Sequence, residues 1–121
     1  MQQLAQLMDR GFRDVDQATP AGKTALMMAA RYGDWLLSQR LVSLGASVHL
    51  SNRKGGTASM YAVVGANPNI VRLCLDEGAE VNAAASNGWT ALYLAAAKGY
   101  GDIMSLLLAR GADPDVADIY G

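Results

Sequence analysis

The apolar positions of this chain fall into short bursts rather than long stripes, and the bursts come in pairs. Ala-rich stretches at 25–31, 58–64 and 91–98 are each followed by an oilier one. The oily stretches carry Leu37, Leu41 and Val42, then Ile70, Cys74 and Leu75, then Ile103, Leu107 and Leu108. Apolar side chains at i, i+4 and i+5 share one face of a helix, so each oily stretch predicts a helix with one buried stripe. Thr24, Thr57 and Thr90 stand just ahead of the Ala-rich stretches, where a hydroxyl accepts from an unpaired N–H of the first helical turn. Gly33 and Gly99 predict helix ends at positive φ, and Gly45, Gly78 and Gly111 close the oily helices in the same way. Trp35, ahead of the second helix, reads as a packing residue.

These elements recur with one period. Gly22, Gly55, Gly88 and Gly121 are 33 residues apart, and Thr24, Thr57 and Thr90 keep the same interval without insertion or deletion. The units open as Gly22-Lys-Thr-Ala-Leu-Met-Met-Ala-Ala30 and Gly88-Trp-Thr-Ala-Leu-Tyr-Leu-Ala-Ala96, and close as Gly78-Ala-Glu-Val-Asn82 and Gly111-Ala-Asp-Pro-Asp115. This pattern resembles the ankyrin repeat, a β-turn followed by two helices. The resemblance implies an all-α solenoid with units at 18–50, 51–83 and 84–117, a degenerate N-terminal capping unit at 1–17, and a further repeat or truncated end at 118–121.

Departures from the family pattern carry their own expectations. The family's proline is Ala25, Ala58 and Ala91, and its histidine is Met27, Met60 and Tyr93, so packing by the methionines replaces the loop-tying bonds of that histidine. The middle unit departs most. Ser59 takes the place of a core leucine, Ala66 that of the helix-ending glycine, and Gly65, one residue early, is expected to end the helix instead. This unit is expected to be the least stable. Leu107 and Leu108 lack an obvious polar cap, which repeat arrays need at their ends.

Composition narrows the function. Hydrophobic residues make up 51% and charged residues 17%, enough to bury a core. Ten basic against eleven acidic residues leave a net charge of −1, which disfavours nucleic acid as the partner. One cysteine makes no internal disulfide, and one Cys with one His makes no four-ligand zinc site. No apolar run approaches the roughly 20 residues of a membrane helix, and Met1 to Arg10 lacks a signal-like apolar core. A cytoplasmic location is expected, with a secreted full-length precursor as the open alternative.

Candidate chemistry is thin. Ala21-Gly-Lys-Thr24 imitates the end of a phosphate loop, but the first glycine of that motif is replaced by Gln17. Cys74 lies on an oily stripe and His49 in a turn, a poor basis for a nucleophile and its base. Asp76, Glu77, Glu80 and Asp113 read as a solvated rim. No catalysis and no cofactor is expected.

The resemblance places partner binding on the turn tips and the exposed side of the first helices, which line a concave face. Carried over position by position, that face includes Lys23, Arg31, Tyr32, Arg53, Lys54, Trp89, Lys98 and Tyr120. Five of the ten basic residues fall there and none of the eleven acidic ones, and Trp and Tyr often dominate interface energy. The expected function is binding of a partner protein with an acidic surface, as inhibitor or anchor. The alternative is a structural spacer within a longer array, self-associating through an open C-terminal end at Leu107 and Leu108.

Overall fold

The computed structural model describes residues 15–114. Most of the expected capping unit at 1–17, with Ile119, Tyr120 and the 118–121 segment, lies outside them. Among the described residues six helices form three helix–turn–helix units: α1 (Ala25–Arg31) with α2 (Trp35–Ser43), α3 (Ala58–Val64) with α4 (Pro68–Asp76), and α5 (Ala91–Lys98) with α6 (Gly101–Ala109). A β-bridge joins Ser51 to Thr57. The architecture is the expected all-α solenoid. First helices stack on first helices and second on second, and a continuous core runs from Leu26 to Ala112. Trp35 packs against that core. No helix of the described residues is long and apolar enough to cross a membrane.

Each first helix starts where its threonine says it should. The Thr24, Thr57 and Thr90 hydroxyls accept from the N–H groups of Met27, Met60 and Tyr93 at 3.3, 3.4 and 3.2 Å. The methionine at 27 does more than pack. Its Sδ accepts from the Thr24 N–H at 3.4 Å, closing a capping box in which sulfur plays the usual glutamate's part. Second helices begin at Asp34 and Asn67, whose side chains accept from the first turn, whereas α6 begins at Tyr100 without a side-chain cap.

Neighbouring turns touch through their backbones. Arg53 N–H donates to the Ala21 carbonyl at 2.9 Å and Ser86 N–H to the Lys54 carbonyl at 2.8 Å. Gly22 and Gly55 permit this approach. Both have φ above +80°, and a Cβ on either would press on the next turn's backbone, at 3.0 Å from Asn52 Cα and 3.1 Å from Ala85 Cα.

In the middle unit Gly65 caps the end of α3, as expected, but without the left-handed conformation of the other helix-closing glycines: its φ is −74°, and Ala66 after it takes φ 55°. Gly65 is needed for another reason: a Cβ there would run into the carbonyl oxygens of Ala30 and Arg31, so its bareness lets α3 close on α1. The left-handed position thus falls to an alanine. Ser59 is 2% exposed, and its Oγ finds no nitrogen or oxygen partner.

A second set of inter-unit bonds skips this unit's lower junction. Asp16 Oδ1 accepts from Ser47 N–H and Asn82 Oδ1 from Asp113 N–H, both at 2.8 Å and 31 residues apart. The residue in register between them is His49, and among the described residues the Glu80 N–H has no such acceptor. The histidine ring lies over Gly78 instead. At the last unit, Leu107 is fully buried and only Leu108, 46% exposed, remains open, which corrects the expectation that both are uncovered.

Two outcomes are expected. A left-handed alanine costs about 1–2 kcal/mol, and the added freedom of an unfolded glycine returns about 0.4–1 kcal/mol of that. Ala66→Gly should therefore stabilise by roughly 0.5–1 kcal/mol in urea titration, while Gly65→Ala should destabilise by about 1–3 kcal/mol through overpacking. In hydrogen exchange, residues 56–68 should open before 90–110. Uniform protection across the three units would contradict the second expectation.

Candidate functional site

The turn tips and the C-terminal ends of the first helices provide two rows of solvent-facing positions. Lys23, Arg53 and Lys54 are exposed in the turn row, as are Arg31, Tyr32 and Lys98 in the helix-end row. None of these cations makes an ion pair among the described residues. Arg31 and Lys98 close α1 and α5, where the helix dipole favours a positive charge, so the fold alone accounts in part for those two. It gives no such account of Lys23, Arg53 and Lys54.

The Arg53–Lys54 tip is held by residues that carry no charge. Asn52 Oδ1 accepts from the N–H groups of Lys54 and Gly56, both at 2.8 Å, and its Nδ2 donates to the Tyr61 hydroxyl at 2.7 Å. The tip is thus braced against α3 before any partner arrives. Sequence reasoning overlooked Asn52 and Tyr61. The signal was present, since an asparagine ahead of a turn commonly bonds the backbone two residues on.

Trp89 is less free than its place in the sequence implied. Its indole stacks on the Tyr93 ring, with centroids 5.2 Å apart and planes 26° from parallel. It remains 38% exposed, against 70% for Tyr32. One face of the indole is committed to the chain, which fixes the ring at the start of α5 and leaves the remainder to solvent. Tyr120 lies outside the described residues, so the row is seen only as far as this tryptophan.

Neither Cys74 nor His49 belongs to these rows. Cys74 is fully buried, and burial pushes its thiol from 9.0 up to about 11, against a smaller lowering by the neighbouring Ser59 hydroxyl. That is the reverse of an activated thiolate. His49 and Glu80 line a depression of about 300 Å³, and among the described residues no group of three or more His, Cys, Asp and Glu is placed to hold a metal. Asp76 is paired with Arg110 at 2.8 Å, tying α4 to α6 at the surface.

Units of one period, capped by threonine, closed by glycine and joined turn to turn, match the family model for ankyrin repeats, in three copies, over residues 26–118. The chain belongs to the ankyrin-repeat family. Ankyrin repeats generally mediate protein–protein interaction and are generally not enzymatic. A putative ankyrin repeat-containing protein of Treponema pallidum is 36% identical over 101 residues, covering 83% of this chain and 34% of its own length. A palmitoyltransferase of Saccharomyces cerevisiae is 30% identical over 77 residues, covering 64% of this chain and 10% of its own. A mitochondrial disaggregase of Bos taurus is 38% identical over 93 residues, covering 77% and 13% respectively. The chain therefore spans about a third of the first relative and about a tenth of the others.

The buried thiol gives this ankyrin array a pH signature. Between pH 9 and about 11 the unfolded chain loses the Cys74 proton while the folded chain keeps it, so stability falls as pH rises through that window. The loss is on the order of 2 kcal/mol, and it should be missing from the pH dependence of a Cys74→Ala variant. In the folded protein at pH 8, a disulfide-exchange reagent should label Cys74 no faster than the chain unfolds.

Proposed function

We propose that this ankyrin array binds the acidic surface of a partner protein through its concave face, acting as an inhibitor or an anchor in the cytoplasm. The observation that carries the reading is the braced cationic tip of Arg53 and Lys54, joined to the next turn by the Ser86–Lys54 main-chain bond. Three further exposed cations share the face, and Trp89 supplies a fixed ring close to the next tip. A rigid cationic surface loses little conformational freedom on binding, and opposite charge raises the encounter rate. Catalysis forms no part of this reading.

Partner isolated by affinity capture from the source cell provides the test. Arg53→Glu with Lys54→Glu should slow association and reduce its salt dependence with little effect on melting. Trp89→Ala should instead raise the dissociation rate, by about tenfold or more if the indole is an interface hot spot. A partner that binds the triple variant as tightly as the parent overturns the concave face as the site.

Leu108 favours a second reading. Its 46% exposure on the last described helix suits a spacer within a longer array, in contact with a following unit or a second copy. Self-association removed by Leu108→Gln, with concave-face variants inert, would select it.

A further inference from the structure

Helix α2 inverts the side-chain sorting of its two counterparts. Ser38 is fully buried with an unpartnered hydroxyl, where α4 carries Val71 and α6 Met104. Leu36 and Leu44 are 75% and 51% exposed, at positions held by Asn69 and Asp102, then Glu77 and Arg110, in the other units. Arg40 is exposed where they have the half-buried Leu73 and Leu106. Scattered surface leucines are ordinary. Here, however, the same fold solves each position the other way twice, and folding alone favours burying the leucines and exposing the serine.

The exposed residues form one ridge. Residues four apart on a helix advance about 6 Å and turn by about 40°, so Leu36 and Arg40 lie along one side of α2 and Leu44, the residue capping its C-terminus, extends that line to about 12 Å. The Arg40 guanidinium, between the leucines, makes no ion pair among the described residues. We propose that this ridge docks an amphipathic helix of a partner protein, one with a carboxylate between two apolar side chains at four-residue spacing. Ridge-in-groove packing suits the leucines, and the central cation selects the acid. A second copy is the poorer occupant, because a two-fold pairing of α2 with itself sets Arg40 against Arg40. The ridge lies on a second helix, apart from the turn and first-helix rows, so this inference does not rest on the function proposed above.

The test titrates the full isotope-labelled chain with a synthetic helical peptide of about five turns, bearing Leu, Glu and Leu at that spacing, and with its Lys-for-Glu counterpart. Amide shifts should saturate around Leu36, Arg40 and Leu44, with the Lys peptide binding about fivefold more weakly. Arg40→Glu should invert the preference. Leu36→Asn with Leu44→Glu, residues other units already carry at these positions, should abolish the shifts and leave melting unchanged. The proposal is overturned by no saturable shift, by shifts centred on Arg53 and Trp89, or by a preference that survives Arg40→Glu. It is equally overturned if the leucine variant melts several degrees lower, or if sedimentation reveals a dimer that the same variant disrupts.

Discussion

Helices of seven to nine residues, the only lengths among those described, do not persist in water alone, because nucleation costs more than so few hydrogen bonds return. Their stability comes from lying on the next unit. That dependence explains why so many positions serve approach rather than contact. Gly22 and Gly55 let successive turns meet backbone to backbone, Gly65 lets α3 close on α1, and the small Ala29, Ala62 and Ala95 are fully buried along the stacked first helices. Side chains that elsewhere would be enlarged to fill a core are here kept small so that the neighbouring helix can arrive.

The same dependence decides what was legible in the sequence. Caps and helix-closing glycines are local, so Thr24, Thr57 and Thr90 marked the first-helix starts correctly, and Gly33, Gly45, Gly78, Gly99 and Gly111 all have positive φ. The packing role of Gly65 was hidden, because a glycine that also avoids a carbonyl on another unit looks the same in sequence as one that only ends a helix. Met27 was read as packing, and only the placement of its Sδ against the Thr24 N–H reveals a cap. For the candidate face, composition identified the cations, but not Asn52 and Tyr61, which brace them, nor the Tyr93 ring that holds Trp89.

Departures from the repeat are unevenly distributed. The middle unit holds a left-handed alanine and a buried serine hydroxyl without a nitrogen or oxygen partner, and its link to the preceding unit lacks the acceptor that Asp16 and Asn82 provide elsewhere. None of these places a large apolar side chain in solvent. The departures in α2 are of the other kind, since they exchange buried for exposed apolar surface. In a repeat the sibling units act as an internal control, which separates the two kinds more clearly than any hydropathy scale.

A solenoid also leaves each unit with two solvent faces that its own packing does not use, one along turns and first helices and one along the outer side of the second helix. In the first unit both are distinctive, with Lys23, Arg31 and Tyr32 on one and Leu36, Arg40 and Leu44 on the other. The core between them is close-packed, with Leu26, Met27, Ala29, Ala30 and Leu41 each at most 1% exposed, so a partner on one face has no route to the other except through rigid helices. Two occupants would then bind side by side without competing, and their free energies would add as those of distant sites do. Coupling between them would require a two-state element, and the junction best suited to that role is the one at His49, where the 31-residue bond is missing and the first unit meets the rest of the array.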